Sequence, residues 1–227
     1  MLSFDNTVVS IDMTRAIATE ETSTRTRRTS EHVTRDLLDA AAVEFAAHGF
    51  AGASTRRIAQ RAGAHQPQIN YHFTSKEQLW RATVAHLFAQ MDATLPGLGD
   101  GPSPSDAFEA VVRSFVRFSA ERPELDRIIN LEATAPSLRL DWLVATHLAP
   151  RLEAVSAGWA ALRDSGLGAD LTAAEVWEIL TGFGALHFAN APMLTLLGIH
   201  GGDDRSESDA HADRILAIVL PTAVGWR

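Results

Sequence analysis

The chain contains no cysteine. That excludes disulfide bridges, a thiolate nucleophile and any zinc site built on sulfur, and it fits a reducing compartment. Tyrosine occurs once and β-branched runs are rare, whereas Ala, Leu, Arg and Glu recur, a composition that favours an all-helical chain. Gly-x-Ser-x-Gly, His-Glu-x-x-His and a carboxylate pair beside a lone base are all missing, so no catalytic residue, metal site or cofactor is expected. The nine histidines are scattered without ligand spacing. Gly97, Gly99 and Gly101 lie in LPGLGDGPSPS, but no strand precedes them and no Gly-Lys-Ser/Thr follows, so the segment reads as a linker. A basic start followed by an apolar core is also missing, so no signal peptide is expected.

One stretch, Ile179 to Gly202, lacks Asp, Glu, Lys and Arg and is long enough to span a bilayer. It nevertheless contains His187, Asn190 and Pro192 and is flanked by Glu175, Glu178, Asp203 and Asp204 rather than by cations. A helix buried at a subunit interface is the expectation, not a membrane span.

Net charge over the 227 residues is −8, which by itself speaks against a nucleic-acid partner. The distribution along the chain points the other way. Residues 22–80 hold eight Lys/Arg against five Asp/Glu, whereas residues 81–227 hold eleven against nineteen. Phosphate contact needs cations only locally.

Residues 1–28 read as a loose arm. Its end, TSTRTRRTS, offers Arg27 and Arg28 either to phosphates and the minor groove or to solvent alone. Residues 29–89 read as one domain and 90–227 as a second. In the first, Val33, Leu37, Leu38, Ala41 and Phe45 form an apolar stripe on a helix expected from Glu31 to His48, ended by Gly49. Ser54 is a candidate N-cap for a second helix closed by Gly63. A third, His65 to Phe73, is short and polar, with Ile69, His72 and Phe73 on one face. Ser75 and Gln78 form a capping box that starts a long helix to about Met91. Two short helices joined by a tight glycine turn make a helix-turn-helix, whose second helix enters the DNA major groove. Beyond the linker, helices are expected over 104–121, 123–133, 137–146, 148–164, 172–198 and 208–224, the first capped by Ser103-Pro104 and the fifth by a box from Thr172 to Glu175.

The run LLDAAAVEFAAHGFAGASTRRIAQRAGAHQPQINYHFTSKEQL resembles the DNA-binding domain of the TetR family of bacterial transcriptional regulators, over about residues 32–80. ERPELDRIINLEATAP, Glu121 to Pro136, is similar to a stretch found in one branch of that family. His65 departs from the family's frequent Ser, Pro67 from a small residue and Asn70 from Tyr. The resemblance implies an all-α protein with an N-terminal helix-turn-helix domain and a C-terminal helical ligand-binding and dimerisation domain. It implies a cytoplasmic, nucleoid-associated homodimer on double-stranded DNA, commonly a repressor released by a small molecule.

On that footing Gln66, Gln68 and Asn70 are candidates for reading bases, with Pro67 beside them at the DNA surface. Arg56 reaches a guanine or a phosphate, Thr55 a phosphate, and Tyr71 and His72 the sugar-phosphate backbone. Lys76, in the first turn of a helix whose N–H groups already favour an anion, is a phosphate contact. Arg57 and Arg61 read equally well as solvent-facing charges. Useful specificity asks for two such units about 34 Å apart on a palindromic operator. The dimer is expected through the last two helices: the charge-free 179–199 run and the stripe Ile215, Leu216, Ile218, Val219 and Leu220. Candidate effector-lining residues in the central helices are Phe115, Phe118, Trp142, Trp159, Trp177, Phe183, His187 and Phe188, with Arg127, Glu132 and His147 as orienting polar groups. The scarcity of charge among them suggests an apolar organic effector. Two alternatives stay open: an interaction protein that keeps the fold without binding DNA specifically, and an all-α enzyme.

Overall fold

The computed structural model describes residues 32–97, 101–199 and 205–221. Arg27, Arg28 and the rest of the expected arm lie outside the described residues. Among the described residues every regular element is helical.

Helix α1 covers residues 32–52. Gly49 takes φ +65°, a left-handed conformation that glycine adopts without a Cβ penalty. One further turn follows before Ala53 N–H donates to the Gly49 carbonyl at 3.1 Å, so the helix runs past its expected end at His48. Helix α2 (Thr55–Arg61) starts where the Ser54 hydroxyl accepts from Arg57 N–H, and Gly63 at φ +63° makes the turn into α3 (Gln66–His72). Helix α4 (Lys76–Asp92) begins at Ser75, whose hydroxyl accepts from Gln78 N–H at 3.0 Å. The expected reciprocal bond to Ser75 is displaced by one residue, for Gln78 Oε1 accepts from Thr74 N–H at 2.6 Å and from the Thr74 hydroxyl at 2.9 Å.

Helix α5 (Pro104–Glu121) follows the linker and is capped by Ser103, with Pro104 in the first turn where its missing N–H costs nothing. Helix α6 (Glu124–Glu132) leads to α7 (Leu138–Leu143), which continues through a π-helical turn, Val144–Leu148, into α8 (Ala149–Asp164). The two helices expected over 137–146 and 148–164 are therefore one winding path. Thr172 and Glu175 complete the expected capping box at α9 (Ala173–Glu178). The single helix expected over 172–198 is interrupted. A π-helical run, Ile179–Ala185, joins α9 to α10 (Leu186–Ala189), and the chain breaks at Asn190 before α11 (Ala191–Leu196), which has Pro192 in its first turn. Helix α12 (Arg205–Val219) closes the fold.

Two apolar clusters hold these elements. The first joins Phe45, Ile58, Ile69, Leu79 and Trp80 of the N-terminal helices to Phe118, Leu125, Ile128 and Leu143, so the helix-turn-helix shares its core with α5–α7. The second packs Phe108, Val112 and Val116 of α5 against Trp159, Val176, Phe188, Ile215 and Val219. Phe115 touches both. Polar ties follow the same path: Asp39 of α1 accepts from Arg122 after α5 at 3.0 Å and lies 3.1 Å from His86 of α4. Arg151 of α8 donates to both carboxylate oxygens of Asp92 at the far end of α4, at 2.7 and 2.6 Å.

Candidate nucleic-acid interface

The helix-turn-helix is locked from below by one carboxylate. Glu44 of α1 is buried, and its Oε1 accepts from Arg57 Nε at 2.7 Å and from Ser54 N–H at 2.9 Å. Arg57 Nη2 lies 2.6 Å from the same oxygen and also donates to the Gly52 carbonyl at 2.9 Å. Burial pushes the Glu44 carboxyl up, but the guanidinium and the Ser54 N–H outweigh it and leave the group below its ordinary value. Arg57 is thus a brace between α1 and the start of α2, not the solvent-facing charge that its position on a polar helix suggests. The sequence carries a signal for it only in hindsight, because Glu44 sits on the apolar face of α1 among Ala41, Ala42 and Phe45, where an unpaired carboxylate would be costly.

Above this brace, α3 presents its reading surface. Ile69 and Phe73 are buried against the core, while Gln66, Pro67, Asn70 and Tyr71 face outward, Tyr71 with 83% of its surface exposed. Gln68 does double duty. Its Oε1 accepts from His65 N–H at 2.8 Å, which satisfies a free donor at the helix start and leaves its amide NH2 and one oxygen lone pair for a partner. This is the reciprocal half of a capping box at His65. His72 turns inward, with Nδ1 3.3 Å from the Thr34 hydroxyl of α1, and holds Tyr71 edge-on at 5.1 Å between ring centres. The half-buried His72 therefore positions Tyr71 in the free chain.

Arg56 and Arg61 are exposed at the two ends of α2, and Thr55 lies half-buried at its start. Lys76 sits at the first position of α4 as expected, but its side chain reaches across to α1. There Nζ donates to the Ala51 carbonyl at 3.1 Å and stands 5.1 Å from the Phe50 ring centre. No carboxylate among the described residues pairs with Arg56, Arg61 or Lys76. The neighbouring acids are already neutralised, Glu44 by Arg57 and Glu77 by Arg81 at 2.6 Å. The surface around α3 is thus cationic although the chain as a whole is acidic.

The structure does not bring the eleven candidate effector residues together. Trp142 packs edge-on to Trp80 at 5.8 Å and to His147 at 5.1 Å, and His147 stacks on Phe88 at 4.4 Å. Burial and the nearby Arg151 hold the His147 imidazole below its ordinary value, so it packs as a neutral ring. Arg127 donates to the Ala189 carbonyl at 2.8 Å. Phe118, Trp159 and Phe188 are core, with Trp159 Nε1 donating to the Leu171 carbonyl at 2.9 Å. Phe115 and Trp177 are half-buried, and His187 stacks on His211 of α12 at 4.3 Å. Phe183 is 44% exposed. Glu132 lines a cleft between α1 and the α6–α7 loop, where it pairs with Arg139 at 2.9 Å. Helical spacing marks these side chains as inward-facing without saying which of them share a space.

The expected dimer surface is likewise redrawn. Ile215, Leu216 and Val219 are buried within the chain against α5, leaving Ile218 exposed on α12. The charge-free run contributes Phe183, Met193, Leu196, Leu197 and Ile199 as exposed apolar groups. Among the described residues no helix is long and apolar enough to cross a membrane.

Residues 37–83 match the family model described as bacterial regulatory proteins, tetR family. The chain is 28% identical to the HTH-type transcriptional regulator RutR of Escherichia coli K12 over 145 residues, 63% of this chain and 68% of RutR. Its fold is similar to that of AibR, solved in complex with isovaleryl coenzyme A and operator DNA, with TM-score 0.67 and 17% identity over 83% of this chain and 98% of AibR. It is also similar to a TetR family transcription regulator from Marinobacter aquaeolei VT8, with TM-score 0.61 and 23% identity over 86% of this chain and 98% of that one. With its helix-turn-helix, its second helical layer and the matched segment at 37–83, the chain is similar to the TetR family of bacterial regulatory proteins.

Proposed function

We propose that the chain is a ligand-responsive transcription regulator that binds a palindromic operator as a homodimer and acts as a repressor. One observation carries this reading: a braced helix-turn-helix exposes Gln66, Asn70 and Tyr71 on α3 and surrounds them with Arg56, Arg61 and Lys76, none of which pairs with a carboxylate among the described residues. Polar side chains on a helix that fits the major groove read base edges, and cations around it contact phosphates. Residues 29–89 do the binding and residues 90–227 control it.

The homodimer rests on the exposed apolar groups of α11, of the segment just after it and of α12. A monomer has no use for Met193, Leu196, Leu197, Ile199 and Ile218 in water, and two copies of this surface bury one another about a two-fold axis. Control by a small molecule is supported by AibR, whose complex holds both an acyl coenzyme A and operator DNA. A ligand that prefers the conformation with wrongly spaced α3 helices shifts the population by its differential affinity.

The test is selection of bound fragments from random DNA by the full chain, followed by salt titration on the winning sequence. A palindromic consensus and a linear fall of log affinity with log salt are expected, and Lys76→Ala lowers that slope by about 0.9 on every sequence. Recovery of no consensus, together with equal retention on heparin and duplex, overturns the reading.

A further inference from the structure

A cleft of about 350 Å³ opens between the end of α1 and the loop joining α6 to α7, with Trp80 of α4 on its wall. We infer that this cleft, at the joint between the helix-turn-helix and the regulatory helices, binds an uncharged planar aromatic compound of one or two rings carrying a carbonyl acceptor. The inference rests on the reading of the chain as a ligand-responsive regulator and assigns the place and chemistry of the response.

The size comes first. Sites for small organic molecules run from about 300 to 1,000 Å³, so this one takes an occupant at the small end. Its lining is half polar and half apolar; the accessible apolar part comes from the half-buried Phe50 and the exposed Leu131, with Phe45, Trp80 and Ile128 buried behind them and Arg139 over one face of Phe50. The remaining Phe50 surface beside Leu131 favours a flat apolar ring.

The polar side of the cleft fixes the charge of the occupant. The buried Glu132 carboxylate accepts from the Ser137 hydroxyl and from Arg139 Nε at 3.1 Å, and Arg139 Nη2 lies 2.9 Å away. This ion pair is closed on itself. A cationic ligand would have to displace the guanidinium and leave it partly buried without a partner, and an anionic one would bring a second negative charge beside a pair that is already balanced; both are unfavourable. A neutral ligand displaces nothing. The guanidinium carries five N–H donors, of which the carboxylate takes two, so a carbonyl oxygen on the ligand finds a donor already oriented.

The cleft also touches the DNA-facing machinery directly. The Arg139 guanidinium carbon stands 3.9 Å from the centre of the Phe50 ring, and Lys76 Nζ stands 5.1 Å from the same ring. Arg139 belongs to the regulatory helices and Lys76 to the DNA-facing ones, so one phenyl ring separates the two cations. An occupant that shifts Phe50 changes the surroundings of Lys76 and of its bond to Ala51 with no long relay.

Coumarin, a neutral two-ring lactone, is a suitable probe, titrated into the full chain without DNA and followed by calorimetry. Leu131, exposed at the cleft, is replaced by Trp to fill the space, and Arg139→Lys keeps the charge while losing the forked donor. Saturable binding is expected, weakened about tenfold or more by Leu131→Trp and to a lesser degree by Arg139→Lys. Circular dichroism and a thermal melt of Leu131→Trp establish that it is folded. Coumarin that does not bind saturably, or that binds wild type and folded Leu131→Trp alike, overturns the inference. Because no DNA is present, these outcomes are independent of the operator selection, and a chain that binds coumarin in the cleft but selects no operator keeps the site and loses the regulator reading.

Discussion

Replacing Arg57 by alanine separates two roles that a surface arginine on a helix-turn-helix can play. In the structure its guanidinium closes on Glu44, with Nε at 2.7 Å and Nη2 at 2.6 Å from the same oxygen, while Glu44 also holds the Ser54 N–H at the start of α2. Removal of the guanidinium leaves a buried carboxylate served by Ser54 N–H alone, with His48 3.8 Å away. Breaking a fully buried pair from one side costs about 3–5 kcal/mol, and losing a hydrogen bond to a charged group costs about 1.5–3. Arg57 is half in solvent, which screens the attraction, so the lower range applies and about 2 kcal/mol is expected. For a chain of this size that is a fall of roughly 4–8 °C in Tm. Glu44→Gln, which keeps an acceptor for Ser54 N–H, costs less, about 1 kcal/mol.

The acid limb adds a second readout. The folded Glu44 value lies below the unfolded one, so its contribution is present above about pH 4.3 and is lost as pH falls through the folded value. The gap between wild type and Arg57→Ala should therefore narrow as the solution is acidified below about pH 4. On DNA, losing a bracing arginine lowers affinity with the salt slope unchanged, whereas losing a phosphate contact lowers the slope by about 0.9 and leaves the melt alone. An Arg57→Ala protein that melts with wild type, to within about 0.5 kcal/mol, refutes the bracing role.

Three further outcomes are open to measurement. Asn70→Ala should lose about 1–3 kcal/mol of discrimination at particular operator positions while binding random DNA as before, measured by competition against single-base variants. Leu196→Glu places a charge on the exposed apolar surface of α11 and leaves the protomer's own core untouched, so sedimentation at one concentration should show a dimeric wild type and a monomeric variant. Burial pushes the Asp126 carboxyl, in the first turn of α6, up to about 7. The folded chain then holds this proton when the unfolded chain has released it, so stability declines as pH rises from about 4 to 7, and Asp126→Asn should flatten that decline in a series of thermal melts.

Local chemistry was legible in the sequence and partner choice was not. Ser54, Ser75, Ser103 and Thr172 cap helices where a hydroxyl precedes an apolar run, because a cap is decided within four residues. Gly63 turns where expected for the same reason, whereas Gly49, expected to end α1, takes the left-handed conformation and the helix runs on to residue 52. The two π-helical segments have no such signature, since widening a helix by one residue leaves no mark in apolar spacing over so short a stretch. Pro150 and Pro192 each sit in the first turn of the helix that follows a break or a widened turn, which identifies them in retrospect as the local cause. On α3, spacing separates Ile69 from Asn70, but it does not reveal that Gln68 commits its carbonyl to His65 or that His72 faces Thr34. The cleft residues were the least legible. Arg139, Phe50 and Trp80 come from three helices and meet only through the packing of α1 and α4 on α7.

Helix α4 has Lys76 at one end and the Asp92 clamp on Arg151 at the other, with Trp80 and Phe88 between. Its 17 residues measure about 26 Å from end to end. A tilt of about 5° around the end held by Arg151 would sweep the lysine by roughly 2 Å, which is more than a hydrogen bond survives. Mechanical gain of that kind means that a side-chain rearrangement near that end, too slight to see in the overall shape, is amplified where the protein meets the double helix.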